Sequence, residues 1–188
     1  MDLKKAHESG LLFSEYVEKW PDEILKTSDT ELGRYVKINL SRNNRWVNRK
    51  PWRNFDAWQE LPGTGIEEEW LVLTEYWCGD AAHIIPVIED VAAVCGVQPR
   101  YIFRDENLEV MDQFTTNGAR SIPKLIRMTP TFEVINTWGP RPEIAQATYE
   151  QLKATTSNIH MILEEMQKWY NENKGLRTLN ELVDLLKQ

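Results

Sequence analysis

The sequence predicts a single α/β domain built on a mixed central sheet, with a helical extension ahead of it and one more helix behind it. Three observations carry that expectation. The first sixty residues have helical periodicity, the chain breaks abruptly at Leu61-Pro62-Gly63-Thr64-Gly65, and short apolar runs then alternate with helical patterns in the order β-α-β-α-β-β-α. With 188 residues, 41% of them hydrophobic, the chain can form one compact core that buries roughly 70% of its unfolded surface. The expected organisation is a helical extension over 1–60, an α/β domain over 61–172 and a closing helix over 173–188.

In the extension, Leu12, Tyr16, Val17 and Trp20 form one stripe. Ser28 with Glu31 three residues later reads as a capping box ahead of Leu32, Tyr35, Val36 and Leu40. Trp70 to Trp77 is an almost continuous apolar and aromatic run, suited to a strand buried on both faces. From Gly79 to Val94 the apolar residues recur at helical spacing, with Gly96 placed as a left-handed cap; Pro86 inside the pattern predicts a kink. Pro99–Phe103 reads as a second strand and Leu108–Phe114 as a short helix closed by Asn117-Gly118. Lys124–Met128 and Thr131–Trp138 read as two strands around a turn at Thr129-Pro130. Gly139-Pro140-Arg141-Pro142 breaks the last strand and starts a long helix that Gly175 ends, and Thr178 with Glu181 reads as the capping box of the final helix.

Charge narrows the function. The chain has 22 basic and 29 acidic side chains, net −7, which opposes a large sequence-independent grip on nucleic acid. Residues 1–60 hold 11 basic and 10 acidic side chains, so the acidity lies in the rest. The stretch Arg42, Arg45, Trp46, Arg49, Lys50, Trp52 and Arg53 has the composition of a single-strand grip, yet its place in the extension of an acidic protein favours docking onto the neighbouring domain. No run of about 18 apolar residues is present and Met1 to Gly10 lacks a basic-then-apolar pattern, so neither a membrane span nor a secretory leader is expected. A cytoplasmic location follows as the expectation, with oligomeric state left open.

The junction Tyr76-Trp77-Cys78-Gly79-Asp80-Ala81 concentrates the chemistry, because a buried strand there runs into the first turn of a helix. Unpaired amides and the positive end of the helix dipole favour a thiolate, which is a common way to prepare a cysteine nucleophile. Cys78 also fits a second reading, a small apolar plug at a crowded turn. Glu75 and Asp80 flank it, and two carboxylates oppose thiolate formation, so the direction of the net shift is not readable from sequence.

Strand, Trp77-Cys78-Gly79, helix, then Ser121-Ile122-Pro123 ahead of a hairpin and a closing helix resembles the thioredoxin fold over about residues 68–170. More narrowly, Cys-Gly-Asp-Ala with Phe103 to Leu108 and Arg120 to Ile126 resembles a bacterial group of thioredoxin-like proteins with a helical N-terminal extension. The resemblance implies that Cys78 is the nucleophile, that the Ile122–Pro123 bond is cis, and that Trp77, Gly79, Asp80, Ile122, Pro123 and Arg141 line a substrate groove. Where a dithiol thioredoxin has proline and a resolving cysteine, this chain has Asp80 and Ala81, and Val72 stands where many members carry a buried acid. Cys95 is no substitute, since seventeen helical residues span roughly 25 Å against the roughly 7 Å a disulfide allows.

One thiol can still form a mixed disulfide that an external thiol releases, or react with a peroxide. No cofactor is expected, though a low-molecular-weight thiol fits as co-substrate, and the expected partner is a thiol- or disulfide-bearing protein or small molecule. Arg141, Arg120 and Arg104 are candidates for a pocket that receives its carboxylates, each against the alternative of a surface ion pair. Arg141 is the best placed. His83, five residues past Cys78, reads as a packed or solvated side chain rather than a base or ligand. The rival to a redox enzyme is a binding module of the same fold that holds a peptide beside Pro123.

Overall fold

The computed structural model describes residues 2–188. Before the sheet come α1 (Leu3–Ser9), α2 (Phe13–Lys26), α3 (Gly33–Arg49) and two short 3-10 turns, Pro51–Asn54 and Asp56–Glu60. The sheet region then runs β1 (Glu69–Thr74), α4 (Gly79–Cys95), β2 (Arg100–Phe103), α5 (Leu108–Met111), β3 (Lys124–Met128) and β4 (Val134–Trp138). Three helices follow: α6 (Glu143–Thr155), α7 (Ile159–Asn173) and α8 (Leu176–Leu186). The strand order is β2-β1-β3-β4, with β1 parallel to β2 and antiparallel to β3, and β4 antiparallel to β3. This mixed sheet with helices is the predicted α/β architecture of the thioredoxin type.

Strand β1 is central, and Trp70 to Thr74 are fully or almost fully buried, as the unbroken apolar run requires. Its register sets Val72 opposite Tyr101 on one side and Leu125 on the other. The free edge of β2 is covered by the N-terminal segment: Leu11 and Tyr101 exchange both backbone hydrogen bonds, at 2.9 and 2.8 Å. One apolar core includes Ala6, Trp20 and Trp52 from the extension, the strands, and Leu179 and Leu182 from α8.

Aromatic packing joins α2 to the strand that carries the cysteine turn. Tyr16 stacks on Tyr76 with ring centroids 4.7 Å apart, and Trp20 also meets Tyr76 at 4.7 Å. The Tyr76 hydroxyl donates to the Tyr16 carbonyl at 2.7 Å. The end of the basic stretch, Lys50 to Arg53 just after α3, docks onto α4. Asp90 on α4, almost fully buried, accepts from Lys50 Nζ at 2.6 Å, from Trp52 Nε1 at 2.9 Å and from the Arg53 guanidinium. Arg127 on β3 pairs with Glu68 through Nη2 at 2.6 Å and Nε at 2.8 Å, and also donates to the Leu185 carbonyl, tying α8 to the sheet.

Several expected boundaries shift, each for a local reason. Ser28 caps nothing: Thr27 to Thr30 form a hydrogen-bonded turn, and α3 begins at Gly33, where a Cβ would lie 1.9 Å from the Thr27 carbonyl oxygen. The long helix is two helices, because Thr156 is extended and the Asn158 side chain accepts from His160 and Met161 amides to start α7 afresh. Thr178 lies buried inside α8, which starts after the left-handed Gly175. Glu181 instead accepts from the Glu143 amide at 2.7 Å, capping α6, and from Trp138 Nε1 at 2.8 Å. Helix α4 continues through Pro86 as one helix and ends at Gly96 with φ 77°. No helix among the described residues is long and apolar enough to cross a membrane.

The Asp90 cluster yields a stability prediction. Burial alone would raise the Asp90 carboxyl pKa, but Arg53, Lys50 and Trp52 outweigh it and hold the group below its ordinary value. The resulting stabilisation is complete above the unfolded carboxylate pKa of about 4 and is lost as pH falls through the lower folded value. Asp90→Asn is expected to lower stability by about 1–3 kcal/mol at pH 7, with the gap to wild type narrowing toward pH 3. Urea unfolding curves at the two pH values check this, and coincident curves at pH 7 would refute the docking role.

Candidate functional site

The site forms where β1 ends. A buried strand cannot turn at its end without satisfying the backbone it releases, and here the Tyr76 carbonyl accepts from Asn39 Nδ2 at 3.0 Å while the Cys78 amide donates to the Glu75 carbonyl at 3.1 Å. Cys78 is the N-cap of α4. Its Sγ accepts from the Ala81 amide at 3.5 Å and donates to the Ile122 carbonyl at 3.4 Å. The Ile122–Pro123 bond is cis, and the hydrogen bond to the Ile122 carbonyl sets the thiol against the backbone just before this proline.

The sulfur is enclosed: Cys78 is 6% exposed. Burial pushes its thiol up to about 12, with the Asp80 carboxylate adding to the rise and the Ala81 amide and Arg141 opposing it. The helix terminus therefore acts in the expected direction but is outweighed by desolvation. Cys95, the last residue of α4, is fully buried, and both cysteines are free thiols.

Charged neighbours separate into those whose charge acts on the thiol and those engaged elsewhere. Arg141 acts on it through its charge and is held beside Asp80: its Nη2 lies 2.6 Å from Asp80 Oδ2, its Nη1 donates to Gln146 at 2.9 Å, and its guanidinium sits 3.9 Å from the Tyr149 ring centroid. The Tyr170 hydroxyl of α7 donates to the other Asp80 oxygen at 2.7 Å. Arg104 instead covers the Trp77 ring at 4.8 Å and pairs with Asp105 at 2.7 Å, and Arg120 grips Asp112 with two hydrogen bonds. Those two arginines are engaged in surface pairs. Glu75 points to the Asp105 amide, which it accepts at 2.9 Å, and burial raises its carboxyl to about 7.

His83 is packed, as its isolation in sequence suggests. Its Nδ1 is 2.7 Å from the Gly79 carbonyl, its Nε2 is 2.9 Å from Gln167 Nε2, and its ring stacks on Tyr170 at 4.5 Å. With Nδ1–H donating to the carbonyl and Nε2 accepting from the amide, both ring nitrogens are used by the neutral form. Burial drives its pKa down to about 3. No cluster of three or more His, Cys, Asp or Glu side chains suited to a metal occurs among the described residues.

Helix α3 forms one wall, a placement the sequence leaves open. Asn39 holds the Tyr76 carbonyl and also accepts from Arg42 Nη1 at 2.9 Å, and a Cβ on Gly79 would lie 3.5 Å from that same guanidinium nitrogen. The loop after β4 forms another wall. Gly139 has φ 110°, and a Cβ there would lie 2.3 Å from the Pro123 oxygen, so only glycine lets the two segments approach. Lys124 reinforces the contact by donating to the Gly139 carbonyl at 3.0 Å and to Thr116 Oγ1 at 2.7 Å. Asn39 and Tyr170 carry no local motif that would single them out in sequence, and Arg42 and Lys124 stand out there only as members of the basic stretch and of the segment from Arg120 to Ile126, without a role at this site.

A family model described as thioredoxin matches residues 27–153, a stretch that begins at the end of α2 and includes α3. No curated protein matches the chain. Two solved structures resemble it, each covering 100% of this chain and 98% of its own: a protein of unknown function from Pseudomonas aeruginosa, with TM-score 0.68 and 11% identity, and an HIV epitope-scaffold, with TM-score 0.66 and 10% identity. Identities this low speak to fold alone. A match spanning more than half of the chain, on a fold that sets a cysteine at a helix N-cap beside the segment before Pro123, means that the chain belongs to the thioredoxin family.

Proposed function

We propose that the protein is a monothiol thiol-disulfide oxidoreductase of thioredoxin type, with Cys78 as the reacting residue and a groove formed by Trp77, Gly79, Asp80, Ile122, Pro123 and Arg141. The observation that carries this reading is the position of Sγ, at the N-cap of a 17-residue helix and 3.4 Å from the Ile122 carbonyl. In the reaction, the Cys78 thiol gives its proton to solvent and the thiolate attacks one sulfur of a substrate disulfide. The old S–S bond breaks as the new one forms, and the other half leaves as a thiolate. An external thiol then attacks the substrate sulfur of the mixed disulfide, is itself oxidised into a disulfide with it, and returns Cys78 as thiol.

The resting thiol is protonated and spends its hydrogen on Ile122. An extended substrate backbone whose N–H takes the Ile122 carbonyl competes with that bond, so docking and exposure of the sulfur are linked. Partners on this reading are thiol- or disulfide-bearing proteins or a small thiol, and no cofactor takes part. The 6% exposure of Cys78 favours a second reading, in which the same groove only holds a partner segment.

Two measurements test the proposal. Because burial pushes the thiol up to about 12, alkylation of Cys78 in the free protein is expected to rise about tenfold per pH unit from pH 7 to pH 10 without levelling, whereas an ordinary thiol levels above about 8.5. Peptide mass spectrometry reads the rate at Cys78 separately from Cys95. Incubation with oxidised glutathione or an aromatic disulfide is expected to give one mixed disulfide at Cys78 that a second thiol reverses, and none in Cys78→Ser. A native protein that forms no adduct at any disulfide concentration supports the binding module instead.

A further inference from the structure

The feature that the proposed reaction leaves unused is the ion pair beside the sulfur. Asp80 lies in the first turn of the helix that Cys78 caps, and its carboxylate is fixed twice, by Arg141 at 2.6 Å and by the Tyr170 hydroxyl at 2.7 Å. The side chains of Asp80 and Arg141 are each 13% exposed, so water and salt screen them weakly. Three segments distant in sequence, the start of α4, the loop after β4 and the later half of α7, thus converge on one carboxylate.

The two members of this pair act on a thiolate with opposite sign. A carboxylate repels the negative sulfur and a guanidinium attracts it, and of the two the Asp80 influence on Cys78 is the larger. We infer that Asp80 is a positioning residue that acts as a brake on Cys78: by engaging Arg141 it cancels the attraction of the neighbouring cation, and it holds the sulfur in its uncharged form. The inference rests on the reading of Cys78 as the reacting atom, and it assigns the reactivity of that atom to a charge balance as well as to burial.

Other groups around the sulfur leave this balance in place. Tyr16 from α2, Tyr76 from the turn and Tyr170 from α7 all have phenols raised above their ordinary value, chiefly by burial, and are neutral. His83 on α4 is neutral as well. Glu75 is turned toward the Asp105 amide, and Arg42 on α3, bonded to Asn39, keeps its charge and also acts on Asp80 but is left unchanged in every variant compared. The Asp80–Arg141 pair is therefore the charged couple whose two halves can be removed separately.

Asp80→Asn and Arg141→Gln cut the same ion pair, so any loosening of the turn is common to both, and only the electrostatic effect differs in sign. Alkylation of Cys78 by iodoacetamide at pH 8.5, read by peptide mass spectrometry, is expected to be at least about tenfold faster in Asp80→Asn, equivalent to a shift of one pKa unit, and no faster than wild type in Arg141→Gln. Similar acceleration in both variants would show a purely mechanical latch and overturn the inference, as would an unchanged rate in a folded Asp80→Asn protein. Should Asp80→Asn alone fail to fold with its buried guanidinium unpaired, the uncharged double variant Asp80→Asn/Arg141→Gln is compared with Arg141→Gln. A faster rate in the double variant supports the brake, and an equal or slower one overturns it. No disulfide enters this measurement, so its outcome is independent of whether mixed-disulfide chemistry occurs.

Discussion

The burial of β1 from Trp70 to Thr74 is the constraint from which the rest of the architecture follows. A strand whose residues from Trp70 to Thr74 are all withdrawn from water needs cover on both faces and partners along both edges. The sheet supplies the edges through β2 and β3, and the helices supply the faces. The chain that emerges from this strand has no freedom to wander. It turns immediately into α4, and Cys78 stands at the point of that turn.

Charged groups fasten the covering layers at chosen places. Asp90 receives the segment after α3, Glu68 and Arg127 hold α8 to the sheet, and Asp80 joins α4 to the loop after β4 and to α7. Each replaces lost hydration with several directed hydrogen bonds, which a buried charge needs if it is to be tolerated. The cost at Cys78 is electrostatic: the same enclosure that orders the turn withdraws the sulfur from water and disfavours its charge.

The sequence was most informative where one residue's chemistry determines the local backbone. The strand from Trp70, the helix closed by Gly96 and the turn at Trp77-Cys78-Gly79 are all legible because apolar periodicity and a left-handed glycine act within a few residues. Caps were less legible. Thr178 and Glu181 have the spacing of a capping box, yet Glu181 serves the start of α6 from another helix. A short motif states which bonds a side chain can make, and tertiary packing decides which backbone receives them. The site divides the same way. Cys78, Ile122 and Pro123 come together as their motifs suggest, whereas Asn39, Arg42 and Tyr170 reach it from helices far away in sequence. The direction of the thiol shift depended on how much solvent those helices exclude, a quantity without a local signature.

The pairing of Leu11 with Tyr101 bears on how copies of this molecule can meet. Together with Asn107, whose amide side chain donates to the Phe103 carbonyl at 2.8 Å, it occupies main-chain groups along the outer rim of β2 that would otherwise invite a foreign strand. Sheet extension by strand addition is thereby confined to the flank carrying Val134 and Ile135, and two copies joined through that flank would leave no open rim, so such pairing would stop at two molecules.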